Sequence, residues 1–336
     1  MLPRRCENNE GYSWLKEVSS EIPQQALKDL GESFRKFLKK ESSYPRFKKK
    51  GKCEVSFFHL NNKFIVEDNY IKLEKMGYVK MKDESRLPVG NYKKDKIKVL
   101  NPRVKFNGKF WYLSLALETE NEINVELTDV SVGVDLGIKD LAIVSNIDKP
   151  FKNINKSTEV KRLNKKLRRL QRQVSRKYDM LKSGKTFEKG EKLIKSQNII
   201  KLEKQIKLVH KRIADIRLNH IHQTTNTIVK TKPCRVVVED LNVRGMLKNK
   251  HLSKAISEQC FNKFITILEY KCKWNGIEFV KANRFFPSSK MCSCCKTIKK
   301  DLRLKDRTYI CSNEECNLVI DRDKNASINL ANYKLA

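Results

Sequence analysis

The chain has 336 residues and a formal net charge of +33, from 72 Lys and Arg against 39 Asp and Glu. A compact fold tolerates that self-repulsion most easily beside a polyanion, so nucleic acid is the expected partner; a ribosome-like or merely supercharged soluble protein is the plainer alternative. No apolar run of about 18 residues and no signal-peptide pattern occurs, which argues against a membrane protein and for the cytoplasm.

In chain order, Leu27, Leu30, Phe34, Phe37 and Leu38 recur at helical spacing, which predicts one amphipathic helix within Trp14 to Lys40. The next stretch, Tyr44-Pro45-Arg46-Phe47-Lys48-Lys49-Lys50-Gly51, cannot be helical through its proline. Arg46, Lys48, Lys49 and Lys50 are candidates for phosphate contact there; a solvated linker is the competing reading. From Cys53 to Glu118 the pattern becomes short strands at Val55 to Leu60, Lys63 to Val66, Tyr70 to Leu73, Tyr78 to Met81, Lys96 to Phe106 and Lys109 to Leu117. Asn61-Asn62 and Asn107-Gly108 mark tight turns, so a small antiparallel sheet or barrel is expected.

Two further strands follow around Val132-Gly133-Val134-Asp135-Leu136-Gly137-Ile138 and Leu141-Ala142-Ile143-Val144. Asp135 lies mid-strand among apolar residues, where an unpaired charge costs roughly several kcal/mol. It is either a turn or cap residue or a ligand for a divalent cation, and the flanking glycines leave room for a bulky ligand.

Residues Val160 to Lys230 are helical and intensely basic. Leu163, Leu167, Leu170 and Val174, then Ile199, Leu202, Ile206, Val209, Ile213, Ile216 and His220, predict an antiparallel helical hairpin broken near Ser183-Gly184 and Gly190. Arg162, Arg168, Arg169, Arg172, Arg176 and Lys177 line its outer face as a rail for a nucleic-acid duplex, with a coiled-coil dimerisation arm as the alternative. His220 continues the apolar seam and is read as a packing residue.

Val236-Val237-Val238-Glu239-Asp240-Leu241 is a second buried strand ending in acid. A helix from Ser253 to Trp274 and a strand from Ile277 to Val280 come next. Asp323 stands at the head of a helix from Asn325 to Tyr333, where a carboxylate suits the free N–H groups. Asp135, Glu239 and Asp323 can therefore converge. Two divalent ions, magnesium or manganese, would suit that all-carboxylate site and phosphodiester displacement.

The ten cysteines are not spread as a disulfide framework. Cys292, Cys295, Cys311 and Cys316 have zinc-ribbon spacing, with two thiolates on each knuckle and a closed, structural tetrahedron. Cys294 either substitutes for a neighbour or stays free. Cys6, Cys53, Cys234, Cys260 and Cys272 read as ordinary side chains.

The GVDLG core at 133–137, the VVVEDL stretch at 236–241, Pro287-Ser288-Ser289-Lys290 and the DRDKNAS stretch at 321–327 together resemble the TnpB (OrfB) family of insertion-sequence nucleases, relatives of the compact type V CRISPR effectors. The resemblance implies an α/β RuvC-type nuclease of RNase H fold (129–336), carrying a helical-hairpin insertion (159–231) and a zinc ribbon (288–318). A helical recognition remnant (1–43) and a wedge-like β-barrel (44–128) would precede it. It further implies a guide RNA from the transposon end, a DNA target, and Asp135, Glu239 and Asp323 as catalytic acids. Asp323 matches because the family acid precedes the Asn-Ala pair by two places; Asp321 would brace the site.

Two departures carry expectations of their own. No Tyr-Arg-Leu-Tyr-Pro-like run stands between Met1 and Gly11, so the first barrel strand is expected to be missing and the barrel incomplete. Lys296 and Asn317 replace the glycine that commonly follows each cysteine pair, which is expected to shift the turn without abolishing zinc. The leading expectation is an RNA-guided, magnesium-dependent DNA endonuclease in the cytoplasm, associated with the nucleoid. The alternatives are a truncated, catalytically silent DNA- and RNA-binding protein of the element, or a DNA transposase.

Overall fold

Short antiparallel strands dominate the first third of the chain, and a mixed sheet wrapped by helices the remainder. The computed structural model describes residues 17–48, 53, 55–59, 65–67, 69–82, 98–118, 125–183, 193–303 and 306–334. It divides into two units, Met1–Asn121 and Glu122–Ala336.

In the first unit, helix α1 (Glu21–Leu38) lies within the Trp14 to Lys40 segment and carries all five of the apolar residues that predicted it. Pro23 sits in its first turn, where a missing N–H breaks no bond within the helix because the first four amides have no acceptor inside it. Trp14 lies outside the described residues. Six strands follow: β1 (Val55–Phe58), β2 (Ile65–Glu67), β3 (Tyr70–Leu73), β4 (Gly77–Lys80), β5 (Lys98–Phe106) and β6 (Trp111–Glu118). They form two antiparallel sheets, β1-β5-β6 and β2-β3-β4. Ile71 and Leu73 of one sheet pack with Val104, Phe57, Leu113 and Leu115 of the other in a shared core. The turn between β5 and β6 is at Asn107-Gly108, with Gly108 at φ +93° and the Asn107 side chain accepting the amides of Lys109 and Phe110. The expected turn at Asn61-Asn62 lies outside the described residues.

The second unit contains β7 (Thr128–Leu136), β8 (Asp140–Val144), β9 (Phe151–Lys152), α2 (Thr158–Lys182), α3 (Gln197–Lys230), β10 (Pro233–Glu239), α4 (Val243–Met246), α5 (Ser253–Gln259), α6 (Phe261–Trp274), β11 (Glu278–Ala282), β12 (Thr308–Ile310), β13 (Val319–Asp321) and α7 (Arg322–Ala331). Five strands make one sheet in the order β11-β10-β7-β8-β9. β10 runs parallel to both β7 and β11, while β8 is antiparallel to β7 and β9 to β8.

Both faces of this sheet are buried, so its central strands are nearly all apolar. Val132, Val134, Leu136, Val236 and Val238 face a core shared with Ile221 and Ile228 of α3 and Phe264 and Leu268 of α6. Val237 alternates to the other face and packs with Val280 and Leu330, the latter on α7. Helix α3 thus serves two cores. Its first half zips against α2 through Val160, Leu167, Leu170, Val209 and Ile213. Ser157 and Ser196 cap α2 and α3 by accepting the amides of Val160 and Ile199.

The helix expected from Ser253 to Trp274 is two helices. The chain breaks at Cys260, whose φ of 55° is left-handed. There Gln259 turns inward, 3 % exposed, and donates to the carbonyls of Gly137 and Ile138. No glycine or proline marks this break, because a tertiary hydrogen bond rather than local preference decides it.

Candidate functional site

Strand alternation puts Asp135 on the same face as Gly133, and Glu239 on the same face as Val237. That face is the one α7 covers. A Cβ added at Gly133 would lie 2.0 Å from the Ser327 carbonyl oxygen and 2.4 Å from the Ala331 amide. Gly133 therefore makes room for a helix, which corrects the reading that it makes room for a ligand. The β7–β10 register runs Val132 to Val236, Gly133 to Val237 and Val134 to Val238. Asp135 and Glu239 are each the next residue, at the strand ends toward the first turn of α7, which carries Asp323.

Each residue of the 321–327 stretch has a separate task. Asp321 is the N-cap of α7 and accepts the amides of Asp323 and Lys324. It therefore works on the backbone of α7, where the sequence reading had it bracing the site. Arg322 instead pairs with Asp323 at 3.0 Å, and Arg307, just before β12, reaches the other Asp323 oxygen at 3.5 Å. Lys324 donates to three carbonyls, Val144, Ser145 and Ile147, and fastens α7 to the end of β8. Asn325 and Asn329, both fully buried, bond the backbone at Ser288, Met291 and Ser293, the approach to the first cysteine knuckle and its second residue.

Asp135 differs from all of these. Half-buried, its carboxylate has no hydrogen-bond or ion-pair partner among the described residues. Burial pushes its pKa well above the usual carboxylate range, the negative charges of Asp323, Glu239 and Asp321 push it further, and Arg322 opposes them. Glu239 is raised as well, by burial and then by Asp240. Asp240 itself is paired with Arg284 at 2.6 Å. A partnerless acid among acids is what a hard divalent cation relieves, and all-oxygen donors suit such an ion. The three acids do not close into a cluster as tight as that of the cysteines.

The sulfurs of Cys292, Cys295, Cys311 and Cys316 all lie within 4.8 Å of one another. Cys292 and Cys316 are 3.7 Å apart and Cys295 and Cys311 3.5 Å. Zinc–sulfur bonds of about 2.3 Å make a tetrahedron with edges of about 3.8 Å, so the set fits zinc. Cys294 is exposed and stays outside it. The Thr297 hydroxyl and amide beside Cys295 pull its thiol down to about 6, toward the thiolate a metal needs. Lys296 and Asn317, one residue past each cysteine pair, adopt the left-handed conformation, with φ 64° and 46°. The turns are those glycine would make, built without glycine.

Arg162, Arg168, Arg169, Arg172 and Arg176 are exposed on α2 and have no acidic partner among the described residues. Arg46 and Lys48 are exposed in the first unit; Lys49 and Lys50 lie outside the described residues. No helix of the described residues is long and apolar enough to cross a membrane. Sequence reasoning missed the work of Lys324, Asn325 and Asn329. The one available signal was a pair of asparagines four apart in a short helix that also carries Ala326, Leu330 and Ala331.

Two family models match the chain: OrfB_IS605, described as a probable transposase, at residues 114–250, and the Cas12f1-like TNB domain at 261–330. A candidate RNA-guided DNA endonuclease from Streptomyces pristinaespiralis is 34 % identical over 331 residues, 98 % of this chain and 75 % of the relative. One from Escherichia coli K12 is 28 % identical over 340 residues, 96 % and 75 % of the two chains. The fold is shared with a Cas12f1 chain solved in complex with sgRNA and target DNA, at a TM-score of 0.54 and 16 % identity over 90 % of this chain and 69 % of that one.

Proposed function

Because this chain belongs to the TnpB (OrfB) family of insertion-sequence proteins, we propose that it is a transposon-associated RNA-guided DNA endonuclease with a RuvC-type catalytic unit. The observation that carries the reading is Asp135: a half-buried carboxylate without a hydrogen-bond or ion-pair partner among the described residues, where β7, β10 and the first turn of α7 meet. In this reading Asp135, Glu239 and Asp323 hold the divalent cation, magnesium or manganese. When bound there, it supplies activation of water and stabilisation of the leaving oxygen.

The chain's own residues do the rest. Arg322 and Arg307 hold the Asp323 carboxylate at the head of α7. Arg162, Arg168, Arg169, Arg172 and Arg176 of α2 fall on one side of the helix over a length of roughly 20 Å, a stripe suited to neutralising successive phosphates. Base pairing to a guide RNA would choose the target, leaving the protein to grip the heteroduplex by its backbone. The four-cysteine cluster holds zinc in a structural role, because four thiolates leave no open position.

The test is cleavage of a guide-matched DNA with added magnesium. Asp135→Ala, Glu239→Ala and Asp323→Ala should each abolish cutting while nucleic-acid affinity stays near wild type. Normal cutting by Asp323→Ala together with a dead Asp321→Ala would overturn the assignment at that position. Salt-sensitive binding without any magnesium-dependent product from the wild type would favour a silent binding protein.

A further inference from the structure

Beyond the acids, the turn that leaves β11 holds an aromatic side chain out in solvent, and its other side chains are all pinned. Ala282, the last residue of β11, is the register partner of Glu239, so the turn departs level with that acid. The Phe286 amide closes the turn onto the Asn283 carbonyl at 2.9 Å, and the Asn283 side chain accepts the Phe285 amide at 2.9 Å. Arg284 is fastened to the Asp240 carboxylate at 2.6 Å. Phe286 packs against Tyr333, with ring centroids 4.9 Å apart, and the Tyr333 hydroxyl accepts the Asn283 amide. Phe285, between these anchors, is 88 % exposed.

A ring carried on a rigid turn loses little freedom when something stacks on it, and its exposed face is unfavourable in water. Glu239, one strand away, and the other two acids beyond it mark where a phosphodiester would lie, in the nuclease reading on which this inference rests. What presents a flat apolar face to a phenyl ring there is an unpaired base of the strand being cut. We infer that Phe285 is a nucleobase-stacking residue that seats single-stranded DNA beside the acid site. The Arg284–Asp240 pair fixes the turn that carries it and neutralises the acid nearest Glu239, which would otherwise repel the incoming phosphates.

The test uses the full chain carrying Asp135→Asn, so that bound strands stay intact. The probes are a short single-stranded DNA with one 2-aminopurine and the matched duplex, both without added magnesium. Phe285→Ala should weaken binding of the single strand by roughly tenfold and remove the stacking-induced quench of 2-aminopurine. Phe285→Tyr should restore both, and duplex affinity should be the same in all three proteins. A single-strand affinity and quench unchanged by Phe285→Ala would overturn the inference, as would an equal loss for single strand and duplex. Absence of guided cleavage by the wild type would sink the nuclease reading instead, and that experiment is separate from this one.

Discussion

Asn325 accepts the amide of Ser293 at 2.9 Å and donates to the carbonyl of Met291 at 2.7 Å. The residue two places after Asp323 thereby grips the backbone of the first cysteine knuckle. Asn329, one turn further along, donates to Met291 and Ser288. The cysteine cluster and the acid at the head of α7 are thus joined through buried hydrogen bonds, and a disturbance of either should be felt at the other.

Asn325→Ala strands a buried N–H and leaves the Met291 carbonyl with one fewer donor, at a cost of roughly 2–4 kcal/mol. The variant should melt earlier and release zinc faster to a chelating dye. It should also need more magnesium for half-maximal cleavage, because Asp323 is less well placed. Unchanged zinc release would show that the knuckle does not lean on α7.

Gly133→Ala drives a methyl group into the backbone of α7 at Ser327 and Ala331. Neither atom belongs to a side chain that could swing aside, so β7 and α7 must separate, at a cost of about 3 kcal/mol or more. A denaturant midpoint close to wild type would contradict the contact.

Lys296→Gly tests the knuckle. Lysine at φ 64° carries a left-handed penalty of about 1–2 kcal/mol, only partly offset by the greater unfolded freedom of glycine. The substitution should stabilise the ribbon by up to about 1 kcal/mol, read as slower zinc loss. A destabilised variant would mean that the Lys296 ammonium, which donates to the Ser293 carbonyl, matters more than the backbone.

Asp135→Asn should stabilise the protein at neutral pH in the absence of divalent ions. A carboxyl with a raised folded pKa binds its proton more tightly when folded, so its contribution favours folding in acid. That contribution is lost as pH rises from the ordinary aspartate range through the raised value. Asparagine does not ionise and escapes the penalty. The gain in melting temperature should be present at about pH 7 and vanish near pH 4, where wild-type Asp135 is protonated. Equal melting temperatures for the two proteins at both pH values would show that Asp135 is not strained.

Much of the chain was legible without coordinates where the determining forces are local. The apolar steps of α2 and α3 and the alternation of β3 or β7 reflect helix and strand periods that any apolar face imposes. The Asn107-Gly108 turn was readable because a positive φ selects its residues. Cysteine pairs with two and four intervening residues bring their sulfurs near one another within a single knuckle, so their grouping needed little from the rest of the fold.

Other features were set by residues far apart in sequence. The break at Cys260 answers to a hydrogen bond from Gln259 to a bend more than a hundred residues earlier. The family pattern separates Asp321 from Asp323 but not the contacts each makes; the direction of the helix decides that one caps the backbone while the other lies against arginines. By itself the sequence determined the elements, the excess of positive charge and the pairing of cysteines, because each rests on composition or short spacing. Only the tertiary structure decided that Gly133 serves helix packing and that Asp135, among other acids, is left without a partner from the described residues. Both depend on which strand lies next to which and how closely α7 approaches, distances that no local periodicity encodes.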